Sequence, residues 1–243
     1  MIDLTCYAFA HNKYVSTTVR FLETVNGREK VLRLLQFSLR FISSISLFPI
    51  LADLQAEINI VRKFLRFLKP IQNLQIAAKF YSNDSLADGA TIRCLNIIRN
   101  LLFGVYLGLD QINLLRILKV LPTTLFYSKT VPFYTNLFWL LSLFCAISID
   151  VLHVIMCCSS STNKPASAKD IDDDKNLKAV KASMVKKRKV YVRKWLWDVM
   201  DTIIVLNFLQ FVNNGDRLVG LLGMVTSWYG IQDVWGDCFY FSN

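Results

Sequence analysis

The chain has 243 residues, enough to bury a sizeable core in one domain or one with a small appendage, so length alone decides nothing about function. Hydrophobic residues make up 53%, charged residues 19%, and the mean hydropathy is +0.37, a composition shifted from soluble proteins toward membrane proteins. A net charge of +10 asks for an anionic partner, and with this apolar content lipid phosphate is favoured over nucleic-acid phosphate.

The first residues, MIDLTCYAFAHNK, show no basic segment leading into an apolar run and a small-residue cleavage site, so no secretory signal is expected. Six cysteines (Cys6, Cys94, Cys145, Cys157, Cys158, Cys238) form no CxxC pair and no His/Cys ligand spacing. Neither a metal nor a cofactor is expected, and the thiols are expected to be reduced. From Ser16 to Ile45 the pattern is helical, and Asn26 with Glu29 reads as a capping box that predicts a fresh helix at Gly27. In that helix Val31, Leu32, Leu35, Leu39 and Ile42 share one face, with Arg33, Gln36 and Arg40 opposite.

Asp53 is a candidate N-cap for the central stretch, which runs from Asp53 to Tyr81. At about 100° per residue, Ile58, Val61, Phe64, Leu65, Leu68 and Ile71 fall on one face, and Arg62, Arg66 and Lys69 point the other way, beside Lys63. A broad apolar arc facing a narrow basic one suits a helix lying in a membrane interface, its cations among head groups. Each basic residue near an anionic surface contributes about 1 kcal/mol, so Arg62, Lys63, Arg66 and Lys69 together would contribute roughly 4 kcal/mol. The same pattern also fits a helix packed by its apolar arc inside a bundle. Pro70 removes a backbone hydrogen bond and predicts a kink near Lys69. Ser82 to Gly89 reads as a loop.

Residues 95–109 form an apolar run containing Arg99 and a GxxxG pair, Gly104 and Gly108, a spacing that lets two helix backbones approach, within the chain or between copies. The helix is expected to continue through Leu121 and end at Pro122. Leu137 to Cys158 has the length of a bilayer crossing, but Asp150 and His153 lie in its second half. Either the helix leaves the apolar zone near Ile149 or the pair serves as a proton relay. Ser159 to Asp174 is polar and reads as a mobile linker with serines open to phosphorylation. Lys175 to Lys194 is basic and runs into Trp195 and Trp197, as at a membrane boundary; no nucleic-acid partner is expected, since that reading leaves the greasy stretch behind it unexplained. Thr202–Val212 and Leu218–Ile231 are short apolar segments around NNGDR and predict a helical hairpin.

The expected architecture is all-α: a membrane-associated helical bundle with an amphipathic helix and a C-terminal helical hairpin. Its expected divisions are 1–158, a linker over 159–177, and 178–243. No nucleotide, zinc-hydrolase or nucleophile-elbow motif occurs, and His11 and His153 lie far apart, so no catalytic residue is assigned.

Four segments, NGREKVLRLLQF (Asn26 to Phe37), VRKFLRFLKPIQNLQIAAKFY (Val61 to Tyr81), LGLDQINLLRILKVLP (Leu107 to Pro122) and VTSWYGIQDVW (Val225 to Trp235), together resemble the peroxisomal membrane protein 11, or peroxin-11, family, in particular its yeast-type members. The resemblance covers nearly the whole chain. It implies residence in the peroxisomal membrane and a role in elongating, proliferating and dividing peroxisomes, with the helix matching Val61 to Tyr81 acting on the bilayer. It also implies homo-oligomers and contact with dynamin-related fission machinery. The alternative is a metabolite pore lined by Arg99, Asp110, Arg116 or Asp150, since ionisable residues within a membrane mark pathways.

Overall fold

The computed structural model describes residues 11–46, 48–82, 89–162 and 171–240, without the side chains of 159–162, 171–181 and 240. These residues are all-α: α1 (Lys13–Glu23), α2 (Val25–Ser43), α3 (Ile50–Leu65), α4 (Lys69–Ser82), α5 (Gly89–Ile117), a π-turn over Phe126–Thr130, α6 (Val131–Thr162), α7 (Ile171–Phe208) and α8 (Gly215–Tyr240). Two compact units interleave along the chain instead of following one another. The first comprises 1–67, 110–128 and 206–243, and the second 68–109 and 129–205.

In the first unit α2 is the hub, packing against α1, α3 and α8, while α1 also reaches α8. The joint between α1 and α2 comes slightly before the expected one, and the cap is Thr24 instead of Asn26. The Thr24 hydroxyl accepts from the Gly27 amide at 2.9 Å and donates to the Phe21 carbonyl at 2.7 Å. A Cβ at Gly27 would stand 2.1 Å from that same carbonyl, so the sharp corner requires glycine here. On α8, a Cβ at Gly220 would meet the Phe41 backbone at 2.9 Å, and one at Gly223 the Phe37 ring at 2.2 Å. The small residues of α8 therefore serve close approach to α2 within the chain. Arg33 Nη2 donates to Thr226 Oγ1 at 3.1 Å across this seam, and Arg40 bonds Asp216 at 2.7 Å near its end.

Helix α3 starts at Ile50, after Pro49, with no side-chain cap; Asp53 lies in the first turn, where its charge suits the helix dipole, and not at the N-cap. The single helix expected over 53–81 is two, broken where Leu68 adopts a left-handed φ of 64°. Pro70 falls in the first turn of α4, where a missing amide leaves no helical bond unmade, so the chain breaks just ahead of it.

Helix α5, whose residues 89–109 belong to the second unit and 110–117 to the first, and α6 carry most of the apolar sequence. The 29 residues of Gly89–Ile117 and the 33 of Phe126–Cys158 are each long and apolar enough to cross a membrane. At 1.5 Å per residue both exceed the ~30 Å hydrocarbon core. Helix α5 stops at Ile117, earlier than the expected Leu121. Lys119 turns left-handed at φ 60°, and the amides of Val120 and Leu121 bond back to the Leu115 carbonyl. The segment ahead of Pro122 is thereby taken out of the helix, in keeping with the extended bias of residues before proline.

The stretch expected as a linker over 159–177 is helical to Thr162 and again from Ile171; residues 163–170, like the core of the loop expected between Ser82 and Gly89, lie outside the described residues. Helix α7 carries the basic run, Trp195, Trp197 and the first expected hairpin segment in one piece of 38 residues. The turn into α8 is closed by Phe211 N to Leu206 O at 3.0 Å, with Gln210 and Gly215 at positive φ. Helices α7 and α8 are both longer than the apolar segments that predicted them.

Candidate membrane interface

In its last turns helix α3 carries its polarity reversed relative to a water-soluble helix, while Asp53 and Glu57 earlier on it are exposed. Arg62 and Lys63 are 7% and 5% exposed, whereas Val61 and Phe64 are 47% and 51% exposed. Ile50 and Leu54 continue the outward stripe, and Ile58 turns inward. The cations are taken up by acids from elsewhere in the first unit. Arg62 Nη2 bonds Glu29 Oε1 at 2.7 Å and its Nε reaches the same oxygen at 3.2 Å, while Nη1 donates to Gln36. Lys63 Nζ pairs with Asp110 Oδ1, and Arg66 Nη2 with Asp110 Oδ2 at 2.9 Å. Gln111 Nε2 donates to the Lys63 carbonyl at 3.5 Å.

Charges buried this deeply persist only when paired and hydrogen-bonded. Burial opposes ionisation of Glu29, yet Lys30, Arg62, Arg66 and Arg33 outweigh it and hold the carboxyl well below its ordinary value. Burial pulls the Arg62 guanidinium down to about 10, against the opposing effect of Glu29, which leaves it charged at neutral pH. Burial also lowers Lys63, with Asp110 acting against it.

The same reversal appears on α2, where Glu29, Arg33 and Gln36 are buried and Val31, Leu35 and Ile42 are exposed. On α8, Leu218, Leu221, Val225 and Trp228 form an exposed stripe while Thr226 and Ser227 are buried. Apolar stripes left outside and polar groups drawn inside are what a protein surrounded by acyl chains requires.

The residues expected to bind the membrane therefore divide. Val61 and Phe64 of α3 present their side chains outward; Leu65 is half-buried and Ile58 is buried. Arg62 and Lys63, and to a lesser degree Arg66, are drawn inside the unit, so the head-group role expected for them is not the one the structure gives them. In the second unit Leu68, Ile71 and Leu74 are exposed, and Lys69 is half-buried.

Gly104, expected at an oligomer contact, is buried with Asn73 Cβ and the Pro70 carbonyl of α4 within 4 Å of where a Cβ would stand, so it already serves packing in the second unit; Gly108 has open space. Asp150 is buried near Arg99, Lys194 and Asp198, and the His153 ring stacks on Tyr191 at 4.5 Å. Burial pushes Asp198 up to about 7, opposed by Arg99 and Lys194 and reinforced by Asp150 and Asp201. The polar residues of α6 thus meet polar residues of α5 and α7. Lys186, Lys187, Arg188 and Lys189 of α7 are exposed.

Residues 15–235 match the family described as Peroxisomal biogenesis factor 11 (PEX11). The chain belongs to the PEX11 family. It is 39% identical to Peroxisomal membrane protein PMP27 of Saccharomyces cerevisiae over 96% of its own length and 99% of that protein's. It is 28% identical to Peroxisomal membrane proteins PMP30B and PMP30A of Candida boidinii, over 93% of this chain and 95% of each of theirs. No solved structure matches. This PEX11 protein is accordingly a peroxisomal membrane protein of peroxisome biogenesis.

What sequence reasoning missed in this PEX11 chain are Glu29, Gln36 and Asp110, the groups that receive the α3 cations. The available signal was a basic arc with no acid one turn away in its own helix, which left its counter-charges to be sought on other helices.

Proposed function

We propose that this protein elongates and curves the peroxisomal membrane, and so promotes peroxisome proliferation and fission, by setting the apolar face of α3 into one leaflet. The supporting observation is the reversed polarity of α3, with Val61 and Phe64 outside and Arg62 and Lys63 inside. An apolar stripe that displaces acyl chains enlarges the leaflet it enters. Burial contributes about 25 cal/mol per Å² of apolar surface, which supplies depth without help from the α3 cations. Attraction to anionic lipid falls instead to the exposed Lys186 to Lys189 on α7. Homo-oligomers would concentrate many such wedges in one patch, from which dynamin-related fission machinery would divide the organelle. No catalytic step is assigned.

The pore reading draws less support. Asp110 is committed to Lys63 and Arg66, and Arg116 to Asn113 on its own helix at 2.9 Å.

The test is Val61→Asp with Phe64→Asp, both at exposed positions, so the fold is expected to survive. The reconstituted variant should lose tubulation of vesicles containing anionic phospholipid while keeping its helical circular dichroism. Undiminished tubulation would overturn the wedge.

A further inference from the structure

We infer that Glu29 and Asp110 are positioning residues that fix which face of α3 meets the bilayer. The inference rests on the wedge reading above and adds the groups that orient the wedge. Neither acid touches lipid; both act through α3. Successive helical residues point about 100° apart, so Arg62 and Lys63 leave α3 in different directions. Arg62 is held by Glu29 and Gln36 of α2, and Lys63 by Asp110 of α5. Arg66, one turn beyond Arg62, returns to the second oxygen of Asp110. A helix gripped at two azimuths cannot roll about its axis, and the stripe of Val61 and Phe64 is left outward. Lys30 lies 3.5 Å from the other Glu29 oxygen, so the acid on α2 stays ionised among several cations.

Without the acids, the buried Arg62 and Lys63 would lack these counter-charges in a region of low dielectric, and the helix would roll to carry them to water and head groups. The two orientations differ in a measurable way. In the observed one α3 binds through apolar area and adds nothing to the salt dependence that Lys186 to Lys189 confer, whereas in the rolled one α3 adds binding through charge, which salt screens.

The experiment is flotation and tubulation of the full-length chain with phosphatidylcholine vesicles, with and without phosphatidylserine, over a range of salt. Glu29→Gln with Asp110→Asn should add a preference of roughly thirtyfold for the anionic vesicles over that of the unaltered protein, abolished by high salt, and should lose tubulation. Glu29→Met with Arg62→Met, an exchange that removes acid and cation together and strands no charge at this seam, should restore the unaltered salt profile and tubulation. A folded double variant with the unaltered salt profile would overturn the inference. If the double variant loses its helical signal, the exchange decides, and its failure to restore the profile is equally fatal. Failure of the wedge itself reads differently, as tubulation that survives Val61→Asp with Phe64→Asp, while the salt profile still reports release of the cations.

Discussion

Helix α2 holds two neighbours by different physics. Against α8 it relies on close approach, with Gly220 admitting Phe41 and Gly223 admitting Phe37, and with Arg33 bonding Thr226. Against α3 it relies on charge, with Glu29 and Gln36 receiving Arg62. In lipid the interior gains little over the surroundings from apolar burial, so helices associate through tight packing or through hydrogen bonds. One helix here uses both. The charged seam also dictates orientation, because a buried cation has few acceptable partners, whereas a glycine seam fixes distance more than chemical identity.

Breaking the charged seam should have the largest effect. Arg62→Ala leaves Glu29 buried without its main partner and is expected to cost about 3–5 kcal/mol, measured by thermal unfolding in detergent. Replacing both partners, Glu29→Met with Arg62→Met, should recover most of that loss, since an apolar pair leaves no charge stranded. The packing seam should give less. Gly223→Ala forces a Cβ into the Phe37 ring and is expected to cost roughly 1–3 kcal/mol, read in the same melts, with no change in salt dependence of vesicle binding.

The joint after α3 should respond in the opposite direction. Leu68→Gly relieves a left-handed leucine and should stabilise by about 1 kcal/mol, while removing an exposed apolar side chain. A higher melting temperature with weaker tubulation is the expected pairing.

Acid should separate the seams most gently. Because the folded value of Glu29 lies below its ordinary 4.5, the stability it contributes is complete above that pH and is lost as pH falls through and beneath it. Melting temperature is expected to be flat in this respect between about pH 5 and 7 and to decline below about 4.5. Glu29→Gln should remove that part of the slope and Gly223→Ala should leave it unchanged.

Much of this was legible beforehand. The helices over α2, α5, α6 and the C-terminal pair follow from apolar periodicity, and the interruption near Pro70 from the chemistry of proline. Boundaries were less so. Thr24 displaced Asn26 as the cap because its hydroxyl bonds both the Gly27 amide and the Phe21 carbonyl, a geometry that depends on the corner itself. The reach of α5 depended on a left-handed Lys119, which no side-chain preference announces.

By itself the sequence determined that α3 has an apolar face and a basic face, that Leu137 to Cys158 has the length of a bilayer crossing, and that the chain resembles a family of peroxisomal membrane proteins; that Gly89–Ile117 is a second helix of that length came from the structure. Which face of α3 turns inward was decided only by tertiary structure. Periodicity separates two faces but assigns neither to the interior, because water and lipid select opposite ones. The selection rests on Glu29 and Asp110, 33 and 47 residues away along the chain from the cations they hold, and only folding brings them together.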